Sequence, residues 1–386
     1  MYEEMIEEAQ EKYSEILEYL KRLRDMEPSF SKGEIFSTMI TKPHPIIVEA
    51  FKIFIDTNLN DPILFKQTHK LEGEVIEFFS KYFNSKTPSG FITTGGSESN
   101  ITALYVLREI TGKRKVIVPI SAHVSIFKAC KILGLKPVTV DLDENYMPRI
   151  DEIERNLKQN QDIAAIVLTV GTTDLGLIEP VDEVSKICGE HNVPIHVDAA
   201  FGGIIAQTLI KLGYKLPRFD FTVESVATMT IDPHKLFAPI PGGIILFKNQ
   251  ELRKPLTFTA PYMPLGKQTT LLGTRTGGSA AAIWTAIKLL GEQGLRKLVL
   301  NLMDLTNYLA KRLEEEGLTL IVKPQLPIIA VKVKNRERVL EELWKRKIYV
   351  SPSTLPETIR IVIEPHITKQ HIDKLIENLV KVTKRR

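Results

Sequence analysis

Cysteine is almost absent from this chain. Two residues, Cys130 and Cys188, among 386 cannot build a disulfide framework or a cysteine-based zinc site of the usual spacing. They fit a reducing compartment, so a cytoplasmic protein is expected. No uninterrupted apolar run reaches the ~18 residues of a membrane span. The opening residues, Met1-Tyr2-Glu3-Glu4, lack the basic stretch and apolar core of a secretory signal, and none is expected. Charge of one sign is not in excess either. Lys and Arg number 51 against 47 Asp and Glu, a net of +4 with both signs interspersed, so neither nucleic acid nor another polyanion is expected as a partner. P-loop, dinucleotide-binding and HExxH patterns are missing, which leaves nucleotide and metal chemistry without support. There is no internal repeat and no low-complexity segment.

What is present is an apolar fraction of 43%, enough for a sizeable core, and a Lys- and Glu-rich, Cys-poor composition of thermophilic cast. Residues 1–24 read as an amphipathic helix with Met5, Ile6, Ala9, Tyr13, Ile16, Leu17 and Leu20 on one face. The loop after it contains Pro43-His44-Pro45, and the proline pair argues against a helix there. Residues 47–58 read as a further helix. From about 61 to 295, short apolar runs (Val116–Pro119, Val138–Val140, Ala164–Thr169, Ile195–Val197, Gly243–Phe247) alternate with helical stretches such as Val124–Leu133 and Val181–His191. That alternation predicts a largely parallel α/β sheet covered on both faces, with ligands outside the carboxyl ends of the strands. A long helix beginning near Ala280 leads into a smaller α+β unit, with strands at Pro327–Val333 and Ile359–Ile363 and helices at Glu337–Lys347 and Lys369–Lys381. The expected organisation is an arm (1–60), a large domain (61–295) and a small C-terminal domain (296–386).

The chemistry resides in a few polar residues at expected strand ends. Lys235, in Asp232-Pro233-His234-Lys235, follows Asp198, in His196-Val197-Asp198-Ala199-Ala200, by 37 residues. A lysine that can form a Schiff base, together with a carboxylate that can keep a pyridinium nitrogen protonated, is what a pyridoxal 5'-phosphate (PLP) enzyme requires. Alone, each has an ordinary reading, a surface lysine in a turn and an Asp capping a helix. The surroundings favour the pair. His234 can donate to a phosphate oxygen, Gly242-Gly243 permits close backbone approach, and the small Ala199-Ala200 leaves room for a flat ring. Upstream, Gly95-Gly96-Ser97 precedes a helix whose N-terminal amides can hold a phosphate, although simple capping by Ser97 would look the same. His123, in Ser121-Ala122-His123-Val124-Ser125, supplies an imidazole that can lie parallel to a pyridine ring.

Together these segments resemble the PLP-dependent group II amino-acid decarboxylases. The His196–Gly203 stretch matches their His-Val-Asp-Ala-Ala-aromatic-Gly-Gly pattern, His123 to Ala129 matches His-x-Ser-x-x-Lys-Ala, and Gly95–Asn100 matches Gly-Gly-Thr/Ser-Glu-Ala-Asn with Ser99 in place of the Ala. Thr41-x-Pro43-His44-Pro45 and Asn58-x-x-Asp61-Pro62 resemble the archaeal L-tyrosine/L-aspartate decarboxylase branch in particular. The resemblance implies a fold-type I PLP-dependent transferase-like fold, with a homodimer whose active sites lie at the interface and an N-terminal arm packed on the partner. It implies Lys235 as the cofactor-binding lysine, Asp198 as the pyridinium partner, and Ala200 and His123 on the two ring faces. Gly96, Ser97 and His234 would serve the phosphate, Thr172 would support Asp198 or the ring hydroxyl, and Thr274 would approach the phosphate of the neighbouring subunit. It also implies that loop residue Tyr262 or His123 protonates the α-carbon, and that Arg360 binds the substrate carboxylate by its fork of N–H donors. The expected reaction is decarboxylation of an L-amino acid, with L-aspartate to β-alanine, a coenzyme A precursor, ahead of L-tyrosine or L-glutamate. Lys42 and His44 are possible donors to an acidic side chain. A PLP carbon–carbon lyase like the sphingosine-phosphate lyases is the other enzyme reading, and a catalytically silent PLP-fold protein is a third.

Overall fold

A computed structural model describes Glu3 and residues 9–384 other than Pro264. Met5 and Ile6 of the expected N-terminal helical face lie outside the described residues. The rest of that helix is α1 (Gln10–Met26). Pro43-His44-Pro45 does not bar a helix. Pro45 opens α2 (Pro45–Ile53) at its first position, and His44 caps it by accepting from the Ile46 amide. Proline suits that position because its missing N–H would have had no intrahelical acceptor.

Seven strands form the central sheet. They are β1 (Gly90–Thr93), β2 (Lys115–Pro119), β3 (Lys136–Val140), β4 (Ile163–Thr169), β5 (Ile195–Asp198), β6 (Val226–Ile231) and β7 (Gly243–Phe247), in the order β1-β7-β6-β5-β4-β2-β3. Strands β3, β2, β4, β5 and β6 run parallel. β7 is antiparallel to both β6 and β1, so β7 alone runs against the other six. The middle strands β4 and β6 are buried along their whole lengths, as continuous apolar runs covered on both faces must be. The helices that cover them are α3 (Lys66–Tyr82), α4 (Gly96–Thr111), α5 (Val124–Leu133), α6 (Ile150–Gln159), α7 (Val181–His191) and α8 (Gly203–Lys211).

This topology brings the polar motifs to one edge. The carboxyl ends of β1, β2, β4, β5 and β6 lead into Gly95-Gly96, His123, Gly171, Asp198 and Lys235. The reversed β7 starts at the same edge with Gly243.

The short pair β8 (Phe258–Thr259) and β9 (Lys267–Gln268) carries the loop with Tyr262 at its tip. Then α9 (Gly277–Glu315) crosses the molecule, interrupted at Gly291, where φ is 54°. Beyond it, β10 (Thr319–Leu320), β11 (Ile328–Lys332), β12 (Ser351–Thr354) and β13 (Glu357–Val362) form an antiparallel sheet in the order β10-β11-β13-β12, with α10 (Arg336–Lys345) and α11 (Lys369–Lys384) packed on it. The segment before α2 joins this sheet. Phe36 donates its amide to the Tyr349 carbonyl, and the Val362 amide donates to the Phe36 carbonyl, so residues 37–40 pass over the edge that carries the polar motifs.

Candidate active site

A cavity of about 650 Å³ opens at that edge. Its floor is built from the carboxyl ends of the strands, and one wall comes from residues 37–40, Ser351 and Arg360. Lys235, Asp198, His123, Ala200, His234, Gly96, Ser97 and Arg360 all line it. These residues come from five separate stretches of sequence.

Lys235 sits in a single 3-10 turn, Pro233–Lys235. Its Nζ lies 3.4 Å from Asp232 Oδ2. The same oxygen is 3.7 Å from His234 Nε2, while Asp232 Oδ1 is buried without a partner among the described residues. His234 is buried and donates from Nδ1 to the Gly242 carbonyl at 3.0 Å. Burial lowers its proton affinity and Asp232 partly restores it. Donation from Nε2 to an anion would use the second ring proton, which Asp232 is placed to favour.

Asp198 ends β5 and is 3% exposed. Asn100 Nδ2 donates to its Oδ2 at 2.8 Å and the Ala200 amide to its Oδ1 at 3.2 Å. Beneath it lies Glu179, fully buried, accepting from the Ser121 hydroxyl and the Thr169 amide, both at 2.6 Å. Burial, and secondarily the charge of Asp198, push the Glu179 carboxyl up to about 7. His196, on the same strand as Asp198, is pushed down to about 4 by burial. His123 caps α5, and burial lowers its proton affinity, so at neutral pH it is an uncharged imidazole.

Arg360 stands in the middle of β13 and donates to the carbonyls of Thr173 and Ser37 at 3.0 and 3.1 Å. Its Nε is buried without a partner among the described residues. Those two bonds leave three of the five guanidinium N–H donors uncommitted among the described residues.

Three expected site residues are elsewhere. Thr172 is buried in the turn after β4, where its hydroxyl accepts from the Leu177 amide at 3.1 Å, and the neighbouring Thr173 faces the cavity instead. Tyr262 is 87% exposed, and Thr274, which follows β9, is exposed too. Neither lines the cavity of this chain. Lys42 and His44 are also off the wall. Asn100, Asp232 and Glu179 are part of the arrangement and are not singled out by the sequence reading. The first two lie inside its motifs, in Gly95–Asn100 and Asp232–Lys235. Glu179 carries no local signal.

The residues fit a phosphorylated pyridine cofactor. The first turn of α4 has no side-chain cap, so the amides at its start are free for an anion, and the Ser97 hydroxyl, exposed at that turn, has no hydrogen-bond partner among the described residues. The approach there is tight. A Cβ on Gly243 would come within 2.5 Å of the Gly95 Cα, and one on Gly96 within 2.9 Å of Asp232 Oδ2. The cavity also holds the amine, the carboxylate and the neutral imidazole that such a ring needs. The pyridoxal-dependent decarboxylase conserved domain matches residues 72–334. This chain belongs to that family.

The decarboxylase relatives match it along nearly its whole length. It is 39% identical to a probable L-tyrosine/L-aspartate decarboxylase of Methanococcus aeolicus, covering 96% of this chain and 98% of the relative. It is 36% identical to an L-aspartate/L-glutamate decarboxylase of Pyrococcus horikoshii, covering 95% and 96%. Among solved structures, the sphingosine-1-phosphate lyase of Burkholderia pseudomallei superposes with a TM-score of 0.87 at 20% identity over 96% of this chain and 91% of that one. The glutamate decarboxylase of Lactobacillus brevis gives 0.85 at 19% identity, over 96% and 93%. These two likenesses show the fold. The protein is a PLP-dependent amino-acid decarboxylase with an α/β fold of the PLP-dependent transferase type.

Proposed function

We propose that this decarboxylase converts L-aspartate to β-alanine and CO2. The observation that carries the substrate is the wall around Arg360. The guanidinium takes the α-carboxylate, and the hydroxyl-bearing Ser37, Thr38 and Thr173 stand beside it on the same wall. A second carboxylate can find partners in such a wall, whereas buried without them it would be costly. A tyrosine side chain calls for a long apolar slot with one polar group at its end. The archaeal relatives named for aspartate support the same choice. Turnover of L-aspartate, L-glutamate and L-tyrosine, measured as kcat/KM from CO2 release, tests it. A preference for tyrosine of about tenfold or more, ~1.4 kcal/mol, would overturn aspartate and leave the family unchanged.

Within the cavity Lys235 supplies the amine that holds the cofactor. Asp198 would accept a hydrogen bond from the protonated ring nitrogen, and the uncapped start of α4, with Ser97 and His234, would receive the phosphate. PLP supplies the electron sink that takes up the pair left when CO2 departs. Arg360 holds the α-carboxylate through its forked donors. Borohydride reduction should leave the pyridoxyl group on the peptide that contains Lys235, and labelling of a different lysine would remove Lys235 from this role.

Residues 1–60 are read as an arm, 61–295 as the cofactor-binding domain and 296–386 as the small domain. The working unit is read as a homodimer. Tyr13, Ile16 and Leu20 of α1 are each more than half exposed, an apolar face that a second copy would cover. Thr274 and Tyr262 would then approach the partner's site, where Tyr262 could protonate the α-carbon. Sedimentation showing a fully active monomer would refute this assembly. Two buried, unpaired cysteines support a cytoplasmic enzyme, and β-alanine production supports a place in coenzyme A biosynthesis.

A further inference from the structure

Asn100 is 1% exposed and all four of its hydrogen-bonding positions are used. Nδ2 donates to Asp198 Oδ2 at 2.8 Å and to Ser125 Oγ at 2.9 Å. Oδ1 accepts from Thr230 Oγ1 at 2.7 Å and meets His196 Nε2 at 2.9 Å. A primary amide has two N–H donors and two carbonyl lone pairs, so nothing is left over. Asp198, as a carboxylate, can only accept, and this decides which end of the amide faces it. The carbonyl must then face Thr230 and His196. His196 therefore carries its proton on Nε2 and leaves Nδ1 to accept from Thr228 Oγ1 at 2.9 Å.

The same directionality runs the other way through Ser125. Its oxygen receives an N–H from Asn100, so its own hydrogen is free to go to His123 Nδ1, 2.8 Å away. The Ser125 amide points at that nitrogen too, at 3.3 Å. Two donors on Nδ1 leave a neutral imidazole with its proton on Nε2, and Nε2 has no hydrogen-bond partner among the described residues. Burial keeps the ring neutral.

We propose that Asn100 is the positioning residue that sets two proton positions at once, holding Asp198 as a proton-free acceptor and, through Ser125, holding His123 with its proton on Nε2. His123 then presents its Nε2–H to the cavity as a hydrogen-bond donor, with Nδ1 occupied and no free ring nitrogen to act as a base. This rests on the reading of Asp198 and His123 as cofactor-facing groups, but the arrangement exists before any cofactor is bound. Of His123 and Tyr262, His123 is the one that this chain places on its own cavity wall.

The deciding measurement is the nitrogen-15 spectrum of the histidine rings in the full-length apo-protein, with the His123 signals assigned by their loss in His123→Gln. The expected wild-type pattern is a protonated Nε2 and a bare Nδ1. Asn100→Asp is close in shape and replaces the donor toward Ser125 by an acceptor. The Ser125 hydroxyl should then turn away from His123, and His123 should change to the Nδ1–H form or take a second proton. The same variant sets two carboxyls side by side, one of which must hold a proton, and PLP should bind it about tenfold or more weakly, as expected for one buried bond to a charged group. A wild-type ring protonated on Nδ1 overturns the proposal without any variant. A folded Asn100→Asp protein that keeps the wild-type His123 pattern also overturns it, whatever happens to PLP affinity, because Asn100 would then serve Asp198 alone. Failure of the apo-protein to take up PLP would refute the cofactor reading while the ring spectrum still decides the proton positions.

Discussion

Asp198 already accepts from two protein donors, the Asn100 amide and the Ala200 N–H. In the proposed role, a carboxylate held in this way would act on the cofactor ring without rearranging, which is where preorganised electrostatics are most effective. Asp198→Ala should retain covalent PLP at Lys235 yet lower turnover by about 10²–10³, on the order of 3–4 kcal/mol. Borohydride labelling and single-turnover rates measured together would show both halves, and near-full turnover would exclude Asp198 from its role. Arg360 makes a separate prediction. Its guanidinium is already fixed by two carbonyls, and a lysine cannot reproduce the fork. Arg360→Lys should raise KM for the amino acid by about tenfold or more, with PLP affinity kept. Weakened cofactor binding with KM unchanged would contradict that. The residues named from motifs at the ends of strands (Lys235, Asp198, His123, Ala200) do meet at one cavity, and Arg360, in the middle of β13, joins them. Thr172, Tyr262 and Thr274 do not, for an identifiable physical reason. Their positions depend on which way a turn points a side chain, or on a loop that stands exposed away from the cavity. Glu179 was illegible because its importance comes from burial beneath Asp198, and nothing adjacent in sequence marks it.

At the scale of elements, the alternation of apolar runs and helices was readable because β4 and β6 are buried on both faces and carry almost no polar interruption. β1 was harder to see. Its four residues run straight into the Gly95-Gly96 turn, and it finds its place only by pairing with β7 from the far end of the domain. That pairing brings two glycine-rich turns into contact and leaves no room for a side chain. Gly243→Ala would set a Cβ 2.5 Å from the Gly95 Cα and 2.6 Å from Thr93 Oγ1. The nearest atom is backbone, so the strand or the phosphate turn must shift, at a cost of about 1–3 kcal/mol. Gly189 is the contrasting case, exposed on α7 with nothing within 4 Å of a Cβ. Gly189→Ala should stabilise by roughly 1 kcal/mol through helix propensity alone. Thermal melts of the two variants should move in opposite directions, and a lower Tm for Gly189→Ala would show that the space argument is wrong.

For the whole molecule, the buried groups behind the site set how stability varies with pH. Glu179 titrates at about 7 in the folded chain against 4.5 ordinarily. Between those values the native state keeps a proton that the unfolded chain releases, so this group makes stability fall as pH rises. Glu364, also fully buried and raised, acts in the same direction. His196 does the opposite. It titrates at about 4 in the folded chain against 6.5 ordinarily, so between those values the unfolded chain binds a proton that the native state refuses, and stability rises with pH. From about pH 4.5 to 6.5 the two effects oppose each other. Above about 7 the penalty of an ionised, buried Glu179 remains in full. Glu179→Gln removes that penalty and keeps the shape. Its carbonyl can accept from the Thr169 amide and its NH2 can donate to Ser121. The variant should match wild type near pH 4.5 and gain on it steadily, to on the order of 3 kcal/mol by pH 8. With the Glu179 slope gone, the rise due to His196 between pH 4.5 and 6.5 should become steeper. Urea denaturation at pH 4.5, 6.5 and 8 measures this directly. A difference between variant and wild type that stays the same at all three values would mean that Glu179 does not change its protonation on folding.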